Sequence, residues 1–125
     1  MKRAVIVVGS HYVGKSKTIR EHLKPKLGIS VDAHIFKRNG QNGYILSQSL
    51  EEANRAIEDV IKNYSYYDLL VLSARPEQET PSSLKHARSK LSSAGYRVNE
   101  VHIERGTDEN YYNRKADEIL RHLDR

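Results

Sequence analysis

Near the start of the chain, Gly9-Ser10-His11-Tyr12-Val13-Gly14-Lys15-Ser16 sets two glycines, a lysine and a hydroxyl at the spacing G-x-x-x-x-G-K-[ST]. Each residue type has a physical task if the segment wraps an anion. Gly9 and Gly14 let the backbone approach closely. Successive amides from Val13 to Thr18, those of Lys15, Ser16 and Lys17 among them, converge inward, and the start of a helix adds partial positive charge. The Lys15 ammonium can reach the terminal phosphates of a polyphosphate, and the Ser16 hydroxyl can ligate Mg²⁺. Chance would produce the pattern in about one chain in 200 of this length. The competing reading is a glycine-rich turn that binds nothing. The setting weighs against it, because the match begins on the residue after an apolar strand and ends where a helix starts. Inside the loop, Tyr12 either stacks on a base, shields the phosphates or faces solvent, and His11 shares its position.

Three arginines extend the pattern. Arg38, Arg75 and Arg105 each follow a predicted strand, and in a parallel sheet ligands gather beyond the carboxyl ends of the strands. Arginine there can clamp phosphates bidentately or stabilise charge in phosphoryl transfer. Arg75 and Arg105, with Lys15, are the candidate catalytic cations, against the plain alternative of surface arginines. A general base would come from Glu77, the first candidate, or from Glu79 or Glu104. Arg105-Gly106-Thr107-Asp108 reads as a small lid or base-contacting loop.

The elements that would position these residues follow from pattern. Ala4–Val8 is a continuous apolar, β-branched strand of the kind buried on both faces of a parallel sheet. A short helix follows the loop, with Ile19 and Leu23 on one face, and should end near Pro25. His34–Lys37 and Tyr44–Gln48 read as strands joined by a turn with Asn-Gly twice. Ser49-Leu50-Glu51-Glu52 is a capping box that should open a helix to about Asn63. Leu69–Leu72 is a second apolar strand. Thr80-Pro81 should start the next helix as cap and first residue, with Leu84, Ala87, Leu91 and Ala94 inward. Arg97–Ile103, of mixed polarity, is a strand nearer an edge. Thr107 should cap a last helix with Tyr112, Ala116, Ile119, Leu120 and Leu123 inward. The alternation implies an α/β three-layer sandwich around a mainly parallel central sheet, with a β-hairpin insert.

Composition narrows the choice. The chain has 125 residues, a net charge of +5 and no Cys. One domain, residues 1–125, is the expected count. A disulfide scaffold, a Cys-based zinc site and a Cys nucleophile are excluded. No apolar stretch approaches the ~20 residues of a membrane span, and Ala4–Val8 is too short for a signal peptide, so a cytoplasmic setting and no membrane partner are expected. Six His show no metal-ligand spacing. Residues 1–38 hold nine basic and two acidic residues, a net +7, against −2 for the rest. That asymmetry suits a polynucleotide or a small polyphosphate. The eight Tyr fit a wet core boundary better than a stacking platform for single-stranded nucleic acid.

The loop resembles the Walker A element of the P-loop NTPase superfamily, and the order of elements resembles its small nucleotide and small-molecule kinase branch. The sharp resemblance covers residues 4–23. Leu69-Leu70-Val71-Leu72-Ser73-Ala74-Arg75-Pro76 lies where such kinases place an apolar strand, an Asp and a Pro/Arg turn. The resemblance implies a P-loop fold binding ATP or another nucleoside triphosphate with Mg²⁺, and phosphotransfer or hydrolysis. Here Ser73 stands where a Walker B strand ends in Asp, and it would orient a metal-bound water. Asp68 starts the strand, about 16 Å from the rim. Asn113-Arg114-Lys115-Ala116-Asp117 differs in spacing from the guanine-reading motif of GTPases. Two alternatives stay open: a nucleotide-binding module without fast turnover, and, less favoured, a basic nucleic-acid-associated protein.

Overall fold

The computed structural model describes residues 1–10, 13–105 and 108–125. Its strands are β1 (Lys2–Val8), β2 (Ile35–Arg38), β3 (Gln41–Ile45), β4 (Leu69–Ala74) and β5 (Tyr96–His102). The first helix, α1, covers residues 15–26 as Lys15–Lys17, a π-helical Thr18–Leu23 and Lys24–Lys26. The others are α2 (Ile57–Tyr64), α3 (Leu84–Ser93) and α4 (Glu109–Asp124). The sheet order is β2-β3-β4-β1-β5, with all pairs parallel except the β2–β3 hairpin. The expected α/β class, mainly parallel sheet and hairpin are therefore present. β5, read as nearer an edge from its mixed polarity, is an edge strand.

Alternation along the strands explains the layers. Ala4, Ile6 and Val8 of β1 join Leu70 and Leu72 of β4 in one core under α2 and α3, where Ile57, Val60, Leu84, Ala87 and Leu91 are buried. Val5, Val7 and Val71 face the other way, against Ile19 and Leu23 of α1 and Ala116, Ile119 and Leu123 of α4. Helices thus cover both sheet faces. Ile6 has no exposed surface, and emptying such a position costs about 2–5 kcal/mol.

Register fixes where the loops emerge. Val8 pairs with Ala74 on one side and His102 on the other, so β1, β4 and β5 end level. The chain leaving β3 follows the same direction, with the Leu46 amide on Val71 O (2.8 Å) and the Leu50 amide on Ser73 O (3.0 Å). Segments 9–10, 13–15, 46–52, 75–79 and 103–105 therefore belong to one rim of the sheet.

Four local expectations are corrected. The hairpin turns on Asn39-Gly40, both at positive φ, while Asn42-Gly43 lies within β3, where the Phe36 ring packs on Gly43. The helix expected from Ser49 begins instead at Ile57. Ser49 Oγ does accept the Glu52 amide (3.2 Å), but Asn54 turns to φ 49° and the helical path stops. The helix expected from Pro81 starts at Leu84. Glu51 holds the Ser83 amide (2.6 Å) and Ser82 Oγ donates to Arg75 O (2.8 Å), tying residues 82–83 to other segments. Thr107 lies outside the described residues, and α4 is capped by Asp108, whose carboxylate accepts the Tyr111 amide (3.0 Å). The first helix ends one residue past Pro25, close to expectation.

Candidate functional site

The loop after β1 is pinned at both neighbours. The Gly9 amide donates to Ala74 O (3.2 Å), and the Ile103 amide donates to Val8 O (2.7 Å). Gly9 has no room for a side chain: a Cβ would lie 2.9 Å from Ile103 O and 2.7 Å from Val13 Cγ2. Gly14 turns to φ 109°, and a Cβ there would come 2.5 Å from Tyr112 Cε1. Both glycines of the motif are thus required by shape. Past Gly14 the helix opens, with Thr18 N (2.9 Å) and Thr18 Oγ1 (2.8 Å) both on Gly14 O. The amides of Lys15, Ser16 and Lys17 lie in the first turn of the helix, the end at which backbone amides lack intrahelical acceptors. His11 and Tyr12 lie outside the described residues.

Lys15 is only 6% exposed. Its ammonium donates to the Gly9 carbonyl, curling back over the loop. Burial pushes its pKa down, against the pull of Glu52 and Glu51, while Arg75 pushes it further down and Glu79 pulls up. A buried cation in this state gains most from an anion brought to it.

Lys15 lines a cavity of about 340 Å³ with Ser16, Arg20, Ser47, Gln48, Ser49, Glu52 and Ser73. Ser73 Oγ, at the end of β4, is buried with no hydrogen-bond partner among the described residues. Such an orphan wants a partner that protein atoms do not supply. A second cavity of about 330 Å³ opens on the β5 side of the loop, lined among others by Gly9, Ser10, Val13, Gln78, Glu104 and Arg105. Ser10 Oγ, on the wall of this second cavity, donates to Glu79.

The other candidates sort by position. Arg75 follows β4 with its amide held by Glu51 (3.0 and 3.1 Å) and its Nε buried without an acceptor among the described residues. Arg105 is exposed at the second cavity. Glu77 turns to Arg88 (2.7 Å), which also holds Glu100. Lys17, whose amide the loop reading uses, sends its ammonium to Glu109 (2.8 Å). Arg38 is a correction. β2 runs antiparallel to its neighbour, so its carboxyl end lies at the amino ends of the other strands, away from the rim, where Arg38 pairs with Asp124 (2.6 and 3.0 Å). Asp68, ahead of β4, likewise lies away from the rim.

Local sequence pattern does not mark Glu51, Glu52, Ser47 or Ser49 as site residues. The usable signal was their place directly after a strand, the same rule that drew attention to the arginines. Among the described residues, no three His, Asp or Glu side chains gather as a metal site. No helix of the described residues is long and apolar enough to cross a membrane. Comparison with protein-family models, with curated proteins and with solved structures finds no match to this chain.

Proposed function

We propose that the chain binds a nucleoside triphosphate, ATP in the first instance, with Mg²⁺ at the loop of residues 9–16, and acts as a small phosphotransferase or NTP hydrolase. The observation that carries this reading is the buried Lys15 ammonium between the loop carbonyl of Gly9 and a polar cavity at the strand ends. The loop amides and Lys15 would hold the phosphates. Ser16 and the orphaned Ser73 hydroxyl would hold the metal, and Glu52, on the same cavity wall, adds a carboxylate the motif alone did not offer. When bound, Mg²⁺ supplies charge neutralisation at the phosphate oxygens. Arg75 and Arg105 would balance charge developing in transfer. Glu77 pairs with Arg88, while Glu52 lines the loop cavity and Glu79 accepts a hydrogen bond from Ser10 Oγ at the loop, so by position Glu52 and Glu79 are the nearer proton acceptors.

The test is calorimetric titration of ATP with Mg²⁺ into wild type and Lys15→Ala, with circular dichroism to follow folding. Wild type should bind and the variant should stay folded without binding. Unchanged ATP affinity in the variant would sink the assignment.

One observation favours a second reading, a nucleotide-binding module without fast turnover. β4 carries Ser73 one residue before its end, and no carboxylate anywhere along it. Phosphate release at background under saturating ATP would select it. The nucleic-acid reading loses support from pairing. Lys17, Lys26 and Arg38 of the basic segment are met by Glu109, Asp117 and Asp124 of α4. A steep salt dependence of oligonucleotide binding would restore that reading.

A further inference from the structure

A groove lies beside the loop cavity and shares Ser47 and Gln48 with it. Its volume is about 230 Å³, and its wall includes His34, Tyr44, Tyr64 and Arg55. β3 carries Tyr44 and α2 ends in Tyr64, and packing of that helix on the sheet brings the rings to 4.2 Å at 22°. His34 continues the stack, 5.7 Å from Tyr44 at 18°. Ser47 Oγ is buried without a partner among the described residues. Arg55 is exposed and is the one Lys, Arg, Asp or Glu among the described lining residues.

We infer that this groove is a second ligand site, for a single planar ring carrying an anionic substituent. Size sets the ring count. Pockets for drug-sized ligands run to roughly 300–1,000 Å³, and this one is smaller, suited to one ring system. The aromatic wall favours a flat π face over a puckered aliphatic ring. Ser47 and Gln48 offer polar atoms to the ring's edge, and Arg55 offers a fork for a carboxylate or phosphate. Tyr44 stays a neutral phenol at working pH, since burial and its hydrogen bond with Tyr64 raise its pKa. The shared wall makes the groove the seat of the second substrate, a role that rests on the nucleotide reading of the neighbouring cavity. The groove's own ligand class does not.

The experiment is ligand-observed NMR titration of wild type with 4-hydroxybenzoate, and with cyclohexanecarboxylate as the puckered control of equal charge. Saturable 4-hydroxybenzoate binding below about 5 mM is expected, with the control about fivefold weaker. Tyr64→Leu should erase that preference. Arg55→Gln, at an exposed position that leaves the fold intact, should weaken 4-hydroxybenzoate about fivefold and leave neutral phenol unchanged. No saturation by about 5 mM, equal affinity for the two carboxylates, or indifference to Arg55→Gln would each overturn the proposal. Lys15→Ala separates the two readings. Ring binding kept in wild type and variant, with no ATP binding in either, upholds the groove and removes only the nucleotide assignment.

Discussion

The Glu51 carboxylate accepts the Arg75 amide through both oxygens, at 3.0 and 3.1 Å, and clasps the Ser83 amide at 2.6 Å with one of them. One side chain thereby fixes the turn that leaves β4 and the approach to α3. It also fixes the backbone of Arg75, whose charge bears on the loop lysine. This ties a residue read from sequence as ordinary helix to the shape of the rim.

Glu51→Ala should leave two amides short of acceptors. Charge-assisted hydrogen bonds of this kind are worth about 1.5–3 kcal/mol, and urea unfolding should show a loss of about that size. Glu51→Gln, keeping one acceptor oxygen, should lose less. A stability equal to wild type in Glu51→Ala would show that solvent replaces the clasp.

Gly14→Ala tests the loop's shape apart from its charge. At φ 109° an alanine is strained, and its methyl would meet the Tyr112 ring 2.5 Å away. A left-handed non-glycine residue costs about 1–2 kcal/mol before any clash. Thermal unfolding should fall accordingly, and ATP affinity should fall with it. The double change Gly14→Ala with Tyr112→Leu should recover part of the stability, because it removes the clash and keeps the strain.

What the sequence disclosed and what it hid divide along local and distant causes. β1, the glycine spacing and the start of α1 are set by neighbours in the chain: a β-branched run, two residues without Cβ, a lysine one step into a helix. Those features were readable. The segment 49–56 was not, although Ser49 accepts the Glu52 amide as a cap should. Its path is decided by Glu51 reaching residues 24 and 32 positions further on, and no window of local pattern contains that. Arg38 failed for a different reason. The strand-end rule assumes a parallel strand, and Asn39-Gly40 reverses the chain before the rule applies. The nine-to-two excess of basic residues in 1–38 also changed meaning, because much of its complement sits on α4, which closes the chain.

Acid should weaken the hairpin's attachment to α4. The hydrogen bonds from Arg38 hold the Asp124 carboxyl below its ordinary 3.8, outweighing burial, and Asn39 assists. A carboxylate with a depressed folded pKa contributes stability that is present above about 3.8, its unfolded value, and lost as pH falls through the lower folded value. Asp124→Asn should therefore cost about 1 kcal/mol at neutral pH, at the upper end for a surface pair because this one is bidentate and partly buried. It should also flatten the stability–pH curve below about pH 4. A variant curve parallel to wild type through that window would assign the acid limb to other carboxylates.

Ser73→Asp asks whether the end of β4 is a metal position. The Ser73 residue is 1% exposed and its hydroxyl has no partner among the described residues. A carboxylate placed there without a cation is a buried charge, and the free protein should lose about 1–3 kcal/mol or raise the new side chain's pKa. With Mg²⁺ and ATP bound, the same carboxylate would face the metal, so saturating Mg²⁺–ATP should stabilise the variant more than it stabilises wild type. Differential scanning calorimetry with and without Mg²⁺–ATP measures that difference directly. Equal ligand stabilisation of the two proteins would place the metal elsewhere on the cavity wall, with Glu52 the next side chain to replace.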